Sequence, residues 1–74
     1  MTSYARLRSI GVSVETADAL APIIESLSPK KQEAFFLWAM GMSYREIAAS
    51  VDLPKSTICD LIIKVRTNAY YLVQ

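Results

Sequence analysis

The stretch MSYREIAASVDLPKSTI, residues 42–58, restricts the possible folds more than any other part of this chain. Ser43-Tyr44-Arg45-Glu46 has the spacing of a capping box. The serine hydroxyl can accept the Glu46 backbone N–H, and the glutamate carboxylate can accept the serine N–H in return. Ile47 and Val51 then fall one turn apart on an inward face. Ala48 lies between them, small enough for another helix to approach closely. Asp52 occupies the break, because aspartate tolerates left-handed backbone better than most residues. Leu53 plugs the corner and Pro54 opens the next helix in its first turn. Ile58, Leu61, Ile62 and Val65 recur at spacings of three and four, which predicts a buried stripe. Lys55, Ser56, Cys59, Asp60 and Ile63 point the other way. The expectation is a short helix over about 44–51, a tight turn, and a helix over about 54–66 that continues towards Tyr70 and Tyr71.

Upstream, the punctuation is also helical. Thr2 to Ser9 reads as a short helix stopped by Gly11. Ser13 is an N-cap for a second helix with Ala17, Leu20, Ile24 and Leu27 at helical spacing. Pro22 sits inside that pattern without a backbone N–H, so a kink or a restart is expected there. Ser28-Pro29 is a start signal for a helix running to about Met40, with Gly41 as its stop. Its second half, AFFLWAM, is apolar almost all round and predicts the central buried helix. Phe35, Phe36, Leu37 and Trp38 are therefore read as core and dimer packing rather than a ligand pocket. No strand pairs, long linkers or repeats stand out. The fold class predicted is all-α, one domain of four to five helices over residues 1–74.

Composition narrows the chemistry. The chain has no histidine and one cysteine, Cys59. Zinc sites built from Cys and His ligands, an internal disulfide and His-based catalysis are thereby excluded. Together with the lack of a Gly-rich phosphate loop or a nucleophile–base pair, this predicts a protein that is not an enzyme and uses no cofactor or metal. A lone cysteine fits a reducing cytoplasm, and no signal peptide or membrane-spanning run is visible. Net charge is only +1, so the placement of charge matters more than its sum. Glu15, Asp18 and Glu25 lie early, whereas Lys30, Lys31, Arg45, Lys55, Lys64 and Arg66 dominate the rest. With 53% hydrophobic residues in 74, a second copy is a natural cover for excess apolar surface.

The pattern of serine cap, glutamate three on, Ile-Ala, a turn residue and a distal isoleucine resembles the helix-turn-helix of sigma-factor region 4 and of response-regulator output domains. LSPKKQEAFFLWAMGMSYREIA is similar to the helix that precedes that motif, and the likeness covers roughly residues 27–66. The segment VSVETADAL, a Ser-x-Lys helix and Gly-x-x-x-Arg-Glu also resemble small plasmid KorA-type repressors and fimbrial operon regulators, which are dimeric all-helical DNA binders. This second resemblance is the better guide to function. The chain departs from the sigma-type pattern at the turn, where Asp52 stands for the usual glycine. It departs again at Cys59, Asp60 and Leu61, often Lys-Ser-Arg, which removes two cations from the expected DNA face.

The resemblance implies a sequence-specific binder of double-stranded DNA, a homodimeric transcriptional repressor with helix 54–66 in the major groove. Lys55, Ser56, Thr57, Cys59, Asp60 and Lys64 are then the groove-facing residues, with Asp60 able to accept from cytosine N4. Tyr44 and Arg45 meet the backbone from the first helix of the pair, and Lys30 and Lys31 are candidates for flanking phosphates. Cys59 is read as a small groove-facing or partly buried side chain rather than a redox sensor. Trp38, Tyr70, Tyr71 and Leu72 are dimer-interface candidates. The terminal residues either fold back on the core or form a two-fold seam, and the seam is the expectation. The competing class is a sigma-region-4-like module that binds RNA polymerase or another regulator, for which Asp60, Leu61 and Ile63 speak.

Overall fold

In the computed structural model the backbone is described for residues 2–73 and the side-chain environment for residues 2–68. The chain is all-helical, with α1 (Ser3–Ser9), α2 (Val14–Glu25), α3 (Pro29–Ala39), α4 (Tyr44–Val51) and α5 (Lys55–Val73). No strand occurs among the described residues. Four of the helices start on a hydroxyl side chain. Thr2, Ser13, Ser28 and Ser43 each hold extended backbone and accept the N–H three residues on, satisfying a donor that the first turn leaves open. At Ser43 the box closes in both directions. The Glu46 N–H donates to Ser43 Oγ (3.2 Å apart) and the Ser43 N–H to Glu46 Oε1 (3.3 Å).

The ends of α1, α3 and α4 share one construction. Gly11, Gly41 and Asp52 have φ of 94°, 94° and 58°. This left-handed step lets the next residue's N–H reach back five positions: Val12 to Leu7 O (3.0 Å), Met42 to Leu37 O (3.2 Å) and Leu53 to Ala48 O (3.3 Å). Val12, Met42 and Leu53 then pack against the core. Each corner is thus a left-handed residue followed by an apolar plug.

Asp52 is the one corner residue that carries a Cβ in this conformation. Its carboxylate is 99% exposed and lies 4.0 Å from Lys30 Nζ, a pair that water screens to little value. Replacing Asp52 with Gly relieves the left-handed penalty and loosens the unfolded chain, two effects of opposite sign. The net expectation is a gain of about 0.5 kcal/mol, seen as a rise of roughly 2–4 °C in the thermal midpoint. A fall would show that the carboxylate itself braces the corner.

The interior is built around α5. Ile58, Leu61, Ile62 and Val65 are all buried there, and the helix packs on α2, α3 and α4, while α1 packs on α2. Ala17 and Ala21 on the buried face of α2 leave room between Leu20 and Ile24 for close approach of a neighbour. Leu7, Phe36 and Ile47 complete the core from α1, α3 and α4. Arg6 ties α1 to α3, with its guanidinium 4.0 Å above the Phe36 ring and 3.4 Å from Glu33 Oε2.

Three expectations change. The central helix is α5 rather than α3. Only Ala34, Phe35 and Phe36 of AFFLWAM are buried, Leu37 and Trp38 are half-buried, and Met40 is 67% exposed. With α4 and α5 as its main neighbours, α3 has partners on only part of its circumference. The last helix does continue past Arg66, as expected, and runs to Val73, since no glycine or proline follows Pro54. Pro54 itself lies just outside that helix, and its carbonyl accepts the first bond, from the Ile58 N–H at 3.2 Å. No restart occurs at Pro22, for α2 is a single helix through it. Pro22 and Asp18, four residues back, are both exposed, so water can take the carbonyl that proline leaves open. No helix among the described residues is long and apolar enough to cross a membrane.

Candidate nucleic-acid interface

Because α5 buries one stripe, its phase fixes what faces outward. Lys55, Ser56, Asp60, Ile63, Lys64 and Arg66 are exposed, while Thr57 and Cys59 are half-buried at the flanks of the stripe. The polar positions expected to face a groove are therefore on the surface, with Thr57 and Cys59 more covered than the rest. The side chains of Tyr70, Tyr71 and Leu72, expected at a dimer seam, lie outside the described residues. Trp38 is half-buried and rests 6.0 Å from Phe35 between ring centroids, on the rim of the core.

On α4, Arg45 is exposed and Tyr44 is half-buried against the core, so the ring is anchored and the guanidinium free to move. The capping box engages the amides of Ser43 and Glu46. The remaining first-turn donors are those of Tyr44 and Arg45, the arrangement that receives an anion at a helix start. The Glu46 carboxylate already shares that positive end, which lowers its attraction for a phosphate.

Lys30 and Lys31 begin α3 and diverge. Lys30 turns to Asp52 at the α4–α5 corner. Lys31 is half-buried and lines a surface groove of ≈ 290 Å³ with Leu27, Thr57, Asp60, Leu61 and Lys64. This groove joins the α2–α3 corner to one edge of α5. It places Lys31 beside Thr57, Asp60 and Lys64, which are 26 to 33 positions away in the sequence. One carboxylate and two ammonium groups meet there, a locally positive edge with a single acceptor in it.

Sequence reasoning did not include Ile63 among the contact residues, although its outward phase on α5 was readable. The groove was not readable, since it depends on how α3 lies along α5. Among the described residues, no cluster of three or more acidic or cysteine side chains converges to hold a metal, and no buried side-chain nitrogen or oxygen lacks a hydrogen-bond partner. The chemistry on offer lies at the surface: mixed cationic and hydrogen-bonding groups exposed along one helix. No protein-family model matches the chain, and no curated protein or solved structure is significantly similar to it.

Proposed function

We propose that the chain is a double-stranded DNA-binding transcriptional regulator that acts as a homodimer in the cytoplasm. In this reading α4 and α5 form a helix-turn-helix, and the N-terminal half of α5 enters the major groove. One observation carries it: Lys55, Ser56, Asp60 and Lys64 stand exposed along the N-terminal half of α5, outside its buried stripe and directly after a tight left-handed corner. Lys55 is then positioned for guanine or a phosphate and Asp60 for cytosine N4. Arg45 reaches the backbone from α4, and Lys31 and Lys64 flank it across the groove. A dimer of such units reads two half-sites about one helical turn apart. Occupancy of a promoter by this body blocks polymerase, so the regulator is read as a repressor. The role is binding rather than catalysis, with no cofactor.

In vitro selection from random duplex DNA with the purified chain tests the reading. The expected result is a palindromic site bound with a slope of log K on log salt of about −4 or steeper, the mark of several released counterions. The competing reading is a module that binds RNA polymerase or another regulator, favoured by the 59% exposure of Ile63. A protein complex held by apolar contact with almost no salt dependence, and no enriched DNA site, would replace the first reading with the second.

A further inference from the structure

Thr57, Asp60, Leu61 and Lys64 recur at spacings of three and four, so they form one edge of α5. Across the groove of ≈ 290 Å³ that runs along this edge, the other wall is Leu27 and Lys31. That wall is held in place locally. The Ser28 hydroxyl accepts the Lys31 N–H (3.4 Å), and the Gln32 side-chain amide donates to the Leu27 carbonyl (3.0 Å). Lys31 is half-buried there, and among the described residues neither it nor Lys64 forms an ion pair. Its neighbour Lys30 turns away to Asp52.

A partly covered ammonium with no carboxylate against it has lost some of its water with nothing in exchange, which favours an incoming anion. The charge of the groove selects the anion. Two ammonium groups against the single Asp60 carboxylate leave a surplus of one positive charge. A phosphodiester carries one negative charge and matches that surplus. A phosphomonoester carries about 1.5–2 at neutral pH and would press the excess against Asp60. The Thr57 hydroxyl, in the same groove, can donate to a phosphate oxygen. The volume also falls short of the about 300–1,000 Å³ usual for small-molecule pockets. We infer that Lys31, Thr57 and Lys64 seat one backbone phosphodiester in each half-site of the bound duplex, and that Lys30 seats none. The inference rests on the DNA-binding reading above. Such a seat fixes the register of α5 along the major groove and reads no base.

The experiment starts from the site selected with the full chain. Each phosphate is replaced in turn by an uncharged methylphosphonate, and binding is measured by fluorescence anisotropy for the native chain, Lys31→Ala and Lys30→Ala. The native chain should lose about tenfold in affinity at one phosphate in each half-site, the worth of one charge-assisted contact. Lys31→Ala should bind the unmodified site correspondingly more weakly and lose nothing further at that phosphate. Its salt slope should be shallower by about one for each half-site. Lys30→Ala should keep the native pattern, and all three chains should show the same helical circular dichroism. A Lys31→Ala chain that stays as sensitive as the native one at every phosphate overturns the inference and leaves the DNA reading standing. So does a pattern lost in Lys30→Ala and kept in Lys31→Ala. Failure to select any site overturns both. If no phosphate couples to Lys31, yet inorganic phosphate raises the melting temperature of the native chain and not of Lys31→Ala, the groove belongs to a free anion and the inference is overturned.

Discussion

Replacing Phe36 with alanine is expected to destabilise the fold by about 3–5 kcal/mol. The side chain is 2% exposed and is among the largest fully buried in the protein. It meets the Phe35 ring edge-on at 5.4 Å between centroids and carries the Arg6 guanidinium on its face. Truncation leaves a cavity where α3 joins the core and removes the cation from its ring. A domain of this size seldom has more than about 3–5 kcal/mol in hand from its core. The variant should therefore be largely unfolded at 25 °C, with most of its far-ultraviolet helical signal lost. A variant that melts within about 5 °C of the native chain would show that α3 contributes little to the interior.

The other large effect concerns binding. Arg45→Ala combined with Lys55→Ala should reduce affinity for the selected DNA site by a hundredfold or more, on the order of two charge-assisted contacts per protomer. Both side chains are exposed, and neither forms an ion pair among the described residues. Stability should consequently change by no more than about 0.5 kcal/mol, as for ordinary surface substitutions. Gel-shift titration beside a thermal melt separates the two readouts. An unchanged shift with a folded protein would remove α4 and α5 from the interface.

Local signals proved legible because their physics is local. Ser13, Ser28-Pro29 and the pair Ser43 and Glu46 act within one turn, and each stands at the helix start expected of it. Gly11, Gly41 and Asp52 close helices by their own backbone angles, and these too were readable. The buried stripe of α5 followed from spacing alone, as did the outward placement of Lys55, Ser56, Asp60 and Ile63. What depended on neighbours was not legible. The apolar run from Ala34 to Met40 gives no hint of which side α4 and α5 will cover, so the exposure of Met40 went unforeseen. The meeting of Lys31 with Asp60 and Lys64 is likewise a product of packing between α3 and α5. The continuation of α5 past Arg66 was legible, because no local stop signal follows Pro54.

That α5 touches α2, α3 and α4 while also exposing an outward row of Ser56, Asp60 and Ile63 has a consequence for the order of events. On the proposed reading the same rod is both keystone and probe. A half-assembled chain has no rigid probe to offer, because the stripe that orients the outward row is the one that closes the interior. On the proposed DNA-binding reading, recognition is accordingly all-or-none in the folding sense: a nascent or damaged copy does not bind weakly, and only a finished one can compete for a target.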